Sequence, residues 1–156
     1  IWHMVGHLQT NKVRDAVRIF SLIHSVDSPR LAREIDKEAK RIGKVQEILI
    51  QVNTSAEKTK FGIAPEEAER LSIDISLYEN IKVKGLMTIA PETNDVEKIR
   101  TCFKRLKELL DKINSLKLKA YSLQLLSMGM TNDFEMAIEE GANVVRIGRA
   151  IFGEKG

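Results

Sequence analysis

Residues 48–53 constrain the fold of this chain more than any other stretch. The run is rich in β-branched residues and lacks the alternation of apolar and polar side chains that marks a strand with one face in water. A strand that is apolar on both sides needs cover on both faces, which is typical of parallel sheets packed between helices. The run therefore predicts a parallel β-sheet within an α/β fold.

Five further strand-like runs alternate with helical patterns along the chain. The predicted strands cover residues 2–8, 22–26, 48–53, 83–90, 123–126 and 143–147. The helices between them are marked by apolar residues at helical spacing and by caps, such as Ser28 before Pro29 and Asn94 three residues before Glu97. Strands that alternate with helices in this way predict an α/β architecture with a parallel sheet.

The barrel form of that architecture fits better than an open nucleotide-binding sheet. The chain contains neither a G-x-G-x-x-G motif nor a Walker motif. We therefore expect a (β/α)8 barrel of the TIM type, of which about six β/α units are present. The chain opens at Ile1 and Trp2 without a lead-in to its first strand, so we expect residues 1–156 to be a single barrel domain that lacks its first β/α units.

Charge and cysteine content exclude several classes of function. The net charge is +3, but the 25 basic and 22 acidic residues are interspersed and form no nucleic-acid-binding stripe. The single Cys102 rules out an intrachain disulfide framework, and His3, His7 and His24 lack the paired spacing of zinc ligands. We expect these histidines to be buried and hydrogen-bonded. With no apolar run of transmembrane length, we expect a cytoplasmic protein without nucleic acid, membrane or metal partners.

Small and polar residues follow the last two predicted strands. Ser127 follows the fifth strand and Gly148 the sixth, and ligands of parallel α/β folds lie at the carboxyl ends of strands. A hydroxyl beside exposed backbone N–H groups predicts a phosphate cradle. The pattern alone leaves open the alternative that Gly129 and Gly148 only turn the chain. Arg146 ends an apolar strand, where burial is costly without a partner, so it faces either a ligand or a structural ion pair.

Six motifs along the chain are similar to those of one known family. They are Gly6-His7-Leu8-Gln9-Thr10-Asn11-Lys12, Ile23-His24-Ser25-Val26-Asp27, Ile50-Gln51-Val52-Asn53, Gly85-Leu86-Met87-Thr88-Ile89, Leu126-Ser127-Met128-Gly129-Met130 and Val145-Arg146-Ile147-Gly148. In this order they resemble the pyridoxal-phosphate homeostasis proteins, which are single-domain barrels similar to the N-terminal domain of alanine racemase. The resemblance covers nearly the whole chain, and it implies an alanine-racemase-like barrel that binds pyridoxal 5′-phosphate.

The resemblance also implies which residues surround the cofactor. They are Ser127, Arg146, Gly148, Arg149, Asn53 and Met128, of which Asn53 and Met128 would line the pocket. The Ser127 hydroxyl and the backbone N–H groups of Gly148 and Arg149 would hold the phosphate, and Arg146 would face the pyridine nitrogen. Arginine keeps its proton at neutral pH, so it donates a hydrogen bond to that nitrogen without protonating it.

Two departures from the family pattern bear on catalysis. The Schiff-base lysine of the family lies upstream of the Trp-His motif and has no counterpart here, since Lys12, Lys58 and Lys60 belong to other motifs. Alanine racemases also take a catalytic tyrosine from a C-terminal domain, and neither Tyr78 nor Tyr121 matches it. We therefore assign no catalytic residue in this chain.

The resemblance favours cofactor homeostasis over catalysis. An unprotonated pyridine ring is a weaker electron sink than a pyridinium, which suits a carrier better than a broad-range transaminase. The first hypothesis is a protein that stores pyridoxal 5′-phosphate or delivers it to accepting enzymes, without strong catalytic activity, as a monomer or weak dimer. The alternatives are a racemase of amino acids that uses the same cofactor, and a phosphate-binding barrel enzyme that uses no such cofactor.

Overall fold

A computed structural model describes residues 1–55, 57, 60–117 and 122–153. Within these ranges six strands form one sheet, namely β1 (His3–Met4), β2 (Leu22–Val26), β3 (Gln46–Gln51), β4 (Ile81–Met87), β5 (Leu125–Met130) and β6 (Val144–Arg146). The strands are all parallel and neighbour one another in chain order, from β1 to β6. This is the strand order of a β/α barrel, and it confirms the predicted architecture.

Helices connect consecutive strands. They are α1 (Val13–Ile19), which follows a short 3₁₀ turn, α2 (Pro29–Arg41), α3 (Pro65–Ser76), α4 (Val96–Ser115), α5 (Phe134–Glu139) and, after β6, α6 (Arg149–Phe152). The Ser28 hydroxyl accepts a hydrogen bond from the Leu31 N–H at the start of α2, as the capping pattern predicts. The predicted cap of α4 was wrong by one residue, because the Asp95 carboxylate rather than Asn94 accepts from the Lys98 N–H. Within the described ranges, none of the helices has the length and apolar character that crossing a membrane requires.

The sheet is strongly curled. Nδ1 of His24 on β2 lies 2.9 Å from Oγ of Ser127 on β5, although two strands separate β2 from β5. On a flat sheet these strands would be about 14 Å apart, at roughly 4.8 Å for each strand spacing. Side chains from opposite halves of the sheet therefore meet on its concave face.

Apolar residues cover both faces of the sheet. The larger core packs the helices against the convex face and includes Ile23, Ile50, Leu86 and Phe103. A smaller cluster occupies the concave face and consists of Leu22, Leu49, Met87 and the half-buried Leu125. This double burial explains why β3 shows no alternation of apolar and polar residues.

Strand boundaries agree with the sequence expectation at β2 and differ most at β5. The predicted fifth strand ended at Leu126, whereas β5 begins at Leu125 and continues through Ser127 to Met130. Leu123 precedes the strand, and its N–H donates to the Asn114 side chain at 2.8 Å. Ser127 therefore lies inside a strand, on the concave face, rather than in the loop that follows it.

Candidate functional site

A cleft of about 540 Å³ opens where the first and last strands of the curled sheet approach each other. It is lined by His3, Val5, His24, Met130, Thr131 and residues 144–149. Pockets that hold small ligands and cofactors fall in the range of about 300–1,000 Å³. The cleft thus has the size of a cofactor site, and it lies at the strand ends where parallel α/β proteins bind ligands.

Arg146, the last residue of β6, is fixed in this cleft by two hydrogen bonds. One terminal nitrogen donates to Oγ of Ser127 at 2.7 Å, and the other donates to the carbonyl oxygen of Thr88 at 2.8 Å. A guanidinium has five N–H donors, so three remain for a ligand. Both acceptors are neutral. The hydrogen bonds in the described part of the chain therefore do not place Arg146 in a structural ion pair.

The charge of Arg146 survives its burial. Desolvation lowers the pKa of the guanidinium to about 10, and the nearby Asp133 carboxylate opposes that change. A pKa of about 10 leaves the group protonated at neutral pH. The cleft therefore presents a positioned cation that can donate hydrogen bonds and is a poor source of protons.

Ser127 lies directly behind Arg146. Its side chain is fully buried, with Oγ between the guanidinium at 2.7 Å and Nδ1 of His24 at 2.9 Å. It is not among the residues that line the cleft. Contact between the Ser127 hydroxyl and a phosphate stays a prediction, and in this geometry it requires the hydroxyl to leave one of its two partners.

His24 and His3 continue the polar contacts from Ser127 to the cleft wall. Nε2 of His24 lies 3.2 Å from Nδ1 of His3, and the two ring centroids are 5.2 Å apart. Burial chiefly, with His3 and Arg146 adding to it, lowers the pKa of His24 to about 4, so its imidazole is neutral at pH 7. The expectation of a buried, hydrogen-bonded histidine is confirmed for His24, but it was wrong for His3 and His7, which are exposed.

The lowered pKa of His24 predicts a pH-dependent stability. Between about pH 4 and pH 6.5 the unfolded chain binds a proton that the folded chain does not, so the free energy of unfolding falls as pH decreases through this window. At 1.36 kcal/mol for each pKa unit, the loss is on the order of 3 kcal/mol. Chemical denaturation at several pH values should show this slope in the native chain and a shallower slope in His24→Gln. Equal slopes in the two proteins would contradict the assignment.

The cleft also carries groups suited to an anion. Gly148 and Arg149 are exposed where β6 passes into α6, and the first backbone N–H groups of a helix have no intrahelical acceptor. A Cβ at Gly148 would meet no atom within 4 Å, so this backbone is open to a ligand. Thr131, half-buried just after β5, adds a hydroxyl to the same cleft. The structure therefore brings together Arg146, Gly148 and Arg149 as the sequence predicts.

Two of the predicted pocket residues lie outside the cleft. Met128 is fully buried in the core on the convex face of the sheet. Asn53 organises the loop after β3, where its amide nitrogen donates to the carbonyl of Glu57 at 2.8 Å and its amide oxygen accepts from the Ser55 hydroxyl at 2.8 Å. Their role as pocket lining stays a prediction that the cleft geometry does not support.

Sequence reasoning missed Thr131, His3, His24 and the Thr88 carbonyl as parts of the site. The signal for Thr131 was its position directly after an apolar strand, which only becomes visible once β5 is extended to Met130. The described residues contain no cluster of histidine, cysteine, aspartate and glutamate able to hold a metal ion. Lys58 and Tyr121, which were set aside as catalytic candidates, lie outside the described residues.

Comparisons with known proteins agree with this fold. The family model for the N-terminal domain of alanine racemase matches residues 2–156. The pyridoxal phosphate homeostasis protein of Aquifex aeolicus is 46% identical over 156 residues, which are 99% of this chain and 67% of that protein.

Solved structures give the same result. The structure of PipY from Synechococcus elongatus with pyridoxal phosphate bound has a TM-score of 0.88 at 32% identity, covering 97% of this chain and 70% of PipY. An alanine racemase from Clostridium difficile shares the fold, with a TM-score of 0.79 at 20% identity, over 96% of this chain and 40% of its own. The chain therefore belongs to the alanine racemase N-terminal domain family and, within it, to the pyridoxal phosphate homeostasis proteins.

Proposed function

We propose that this chain forms the greater part of a pyridoxal 5′-phosphate-binding protein that maintains the cofactor in the cell without strong catalytic activity. The observation that carries the proposal is Arg146, a fixed cation with free donors in a cofactor-sized cleft. The relatives support it, since the Aquifex aeolicus protein is named for pyridoxal phosphate homeostasis and PipY holds the cofactor.

The residues of the cleft fit the chemistry of the cofactor. A pyridine nitrogen needs a donor, which Arg146 supplies, and a dianionic phosphate needs several donors near a positive charge. The hydroxyl of Thr131, the backbone N–H groups of Gly148 and Arg149, and the Arg149 side chain provide such donors in the same cleft. We propose that these three residues hold the phosphate and that Ser127 keeps Arg146 in place.

This arrangement disfavours reactions that need the ring as a strong electron sink. Bound pyridoxal phosphate supplies an aldehyde and an electron-withdrawing ring. Arg146 donates to the ring nitrogen but does not give up its proton at neutral pH, so it leaves the ring a weak electron sink. We further propose a cytoplasmic site of action, with cofactor-accepting enzymes as partners and a monomeric or weakly dimeric state.

Titration of the full-length protein with pyridoxal phosphate, followed by absorbance, tests the proposal. We expect saturable binding with a change in the cofactor spectrum and no appreciable racemisation of alanine or other amino acids. Binding that does not saturate would contradict the cofactor assignment. Rapid racemisation would instead favour the enzyme alternative.

The lysines of this chain are not expected to bond covalently to the cofactor. Capture of an aldehyde needs a nucleophilic amine aimed at its carbon, and among the residues that the structure describes no lysine lines the cleft. After borohydride reduction of the 156-residue chain with pyridoxal phosphate, mass mapping should find no stoichiometric pyridoxyl adduct. A full adduct on one lysine, such as Lys12 or Lys60, would show that the family alignment of the lysine is wrong.

A further inference from the structure

Four polar side chains form an unbroken line across the concave face of the sheet. Arg146 on β6 contacts Ser127 on β5 at 2.7 Å, Ser127 contacts His24 on β2 at 2.9 Å, and His24 contacts His3 on β1 at 3.2 Å. The two inner members, Ser127 and His24, are 0% and 1% exposed. Water therefore has little access to the middle of the line, and Ser127 and His24 must find their hydrogen-bond partners among neighbouring protein groups.

The donors and acceptors in this line can be assigned from Arg146 onward. A guanidinium only donates, so Oγ of Ser127 accepts from it. Among the described residues, the buried Ser127 proton then has one remaining acceptor, Nδ1 of His24, which must be unprotonated. His24 is consequently the tautomer with its proton on Nε2, and that proton is donated to Nδ1 of His3.

The opposite tautomer leaves a buried donor unpaired. With a proton on Nδ1, His24 would donate to Ser127, whose oxygen would face two donors from Arg146 and His24. The Ser127 proton would then have no acceptor in a fully buried site. An unsatisfied buried donor is destabilising, so the hydrogen bonds of the line have one favoured donor-to-acceptor direction, which runs from Arg146 to His3.

We propose that His24 is a positioning residue for Arg146, because it accepts the Ser127 proton and so keeps Oγ of Ser127 turned toward the guanidinium. His24 thereby acts on Arg146 through the Ser127 hydroxyl. This proposal rests on the proposed function only in taking the cofactor as the group that Arg146 faces. The assignment of the His24 tautomer depends only on contacts within this chain.

Protonation of His24 would break this arrangement. A proton on Nδ1 converts the acceptor of Ser127 into a donor and places a positive charge near Arg146. The ionisable groups that act on His24 are His3 from β1 and Arg146 from β6, both of which disfavour its charged form, and Asp133 acts on Arg146. The line is therefore intact at neutral pH and is lost in acid.

Nitrogen-15 NMR of histidine-labelled full-length protein, without cofactor, tests the tautomer. At pH 7 we expect His24 to show an unprotonated Nδ1 and a protonated Nε2. Ser127→Ala should weaken that preference because it removes the donor to Nδ1. A protonated Nδ1 in the native protein, in either the neutral or the charged ring, would overturn the proposal whether or not the cofactor binds.

Cofactor affinity tests the positioning role. His24→Leu should weaken pyridoxal phosphate binding about fivefold, the effect expected from one neutral hydrogen bond. His24→Gln, whose amide can accept from Ser127 and donate to His3, should restore affinity to within about twofold of the native value. His7→Leu, an exposed histidine outside the line, is the control and should change nothing. An unchanged affinity in His24→Leu, or an equal loss in the Leu and Gln variants, would contradict the proposal.

Discussion

Gly85→Ala is expected to lower the free energy of unfolding by more than about 4 kcal/mol, which is a large share of the roughly 5–15 kcal/mol that stabilises an ordinary domain. Gly85 on β4 pairs with Leu125 on β5. A Cβ at Gly85 would overlap the carbonyl oxygen of Leu125 and lie 2.6 Å from its carbonyl carbon and 2.8 Å from its Cα. These are backbone atoms, so they cannot turn aside as a side chain would, and the two strands would have to separate.

Chemical denaturation of the native chain and the variant measures this effect. Gly6→Ala is the matched control, because a Cβ at Gly6 would meet no atom within 4 Å and the same methyl group is added. The control should stay within about 0.5 kcal/mol of the native chain. A Gly85→Ala protein as stable as Gly6→Ala would show that β4 and β5 do not approach as closely as the structure indicates.

Thr131→Val is expected to weaken pyridoxal phosphate binding in the full-length protein about 10- to 150-fold. The substitution keeps the shape of the side chain and removes the hydroxyl that we propose for the phosphate. Hydrogen bonds to charged groups contribute about 1.5–3 kcal/mol, which corresponds to this range of affinity. Isothermal titration in one buffer would give the two dissociation constants.

Two further variants make the Thr131 measurement specific. Thr101→Val, at an exposed position on α4, should leave the affinity unchanged. Ser127→Ala should cost about fivefold, because Ser127 acts through Arg146 and the lost hydrogen bond is with a residue rather than with the phosphate. A larger loss in Ser127→Ala than in Thr131→Val would support the phosphate contact that the family resemblance assigns to Ser127.

The sheet could be predicted from the sequence because its signals are local. The apolar run of β2, bounded by Ser21 and Asp27, gave the observed strand limits, and the absence of alternation in β3 follows from cover on both faces. The proline at the start of α2 and its Ser28 cap likewise act within one turn of the chain. Such features need no knowledge of distant residues.

The polar part of the site could be predicted only in part because its contacts are not local. Ser127 was assigned to a loop because serine and glycine interrupt the apolar pattern of β5, yet its partner His24 lies 103 residues away. The sequence pattern leaves open whether Arg146 faces a ligand or an ion pair, and its contact with the Thr88 carbonyl joins residues that are 58 positions apart. Only the curl of the sheet brings these groups together.

A crystal structure of the full-length protein with pyridoxal phosphate would show whether the cofactor occupies this cleft. We expect the cofactor in the cleft beside β6, with its ring nitrogen within hydrogen-bonding distance of Arg146 and its phosphate against Thr131, Gly148 and Arg149. In the same structure Ser127 should still contact both Arg146 and His24. Density for the cofactor outside this cleft, or a phosphate bound by Arg146 in place of the ring nitrogen, would contradict the proposed binding site.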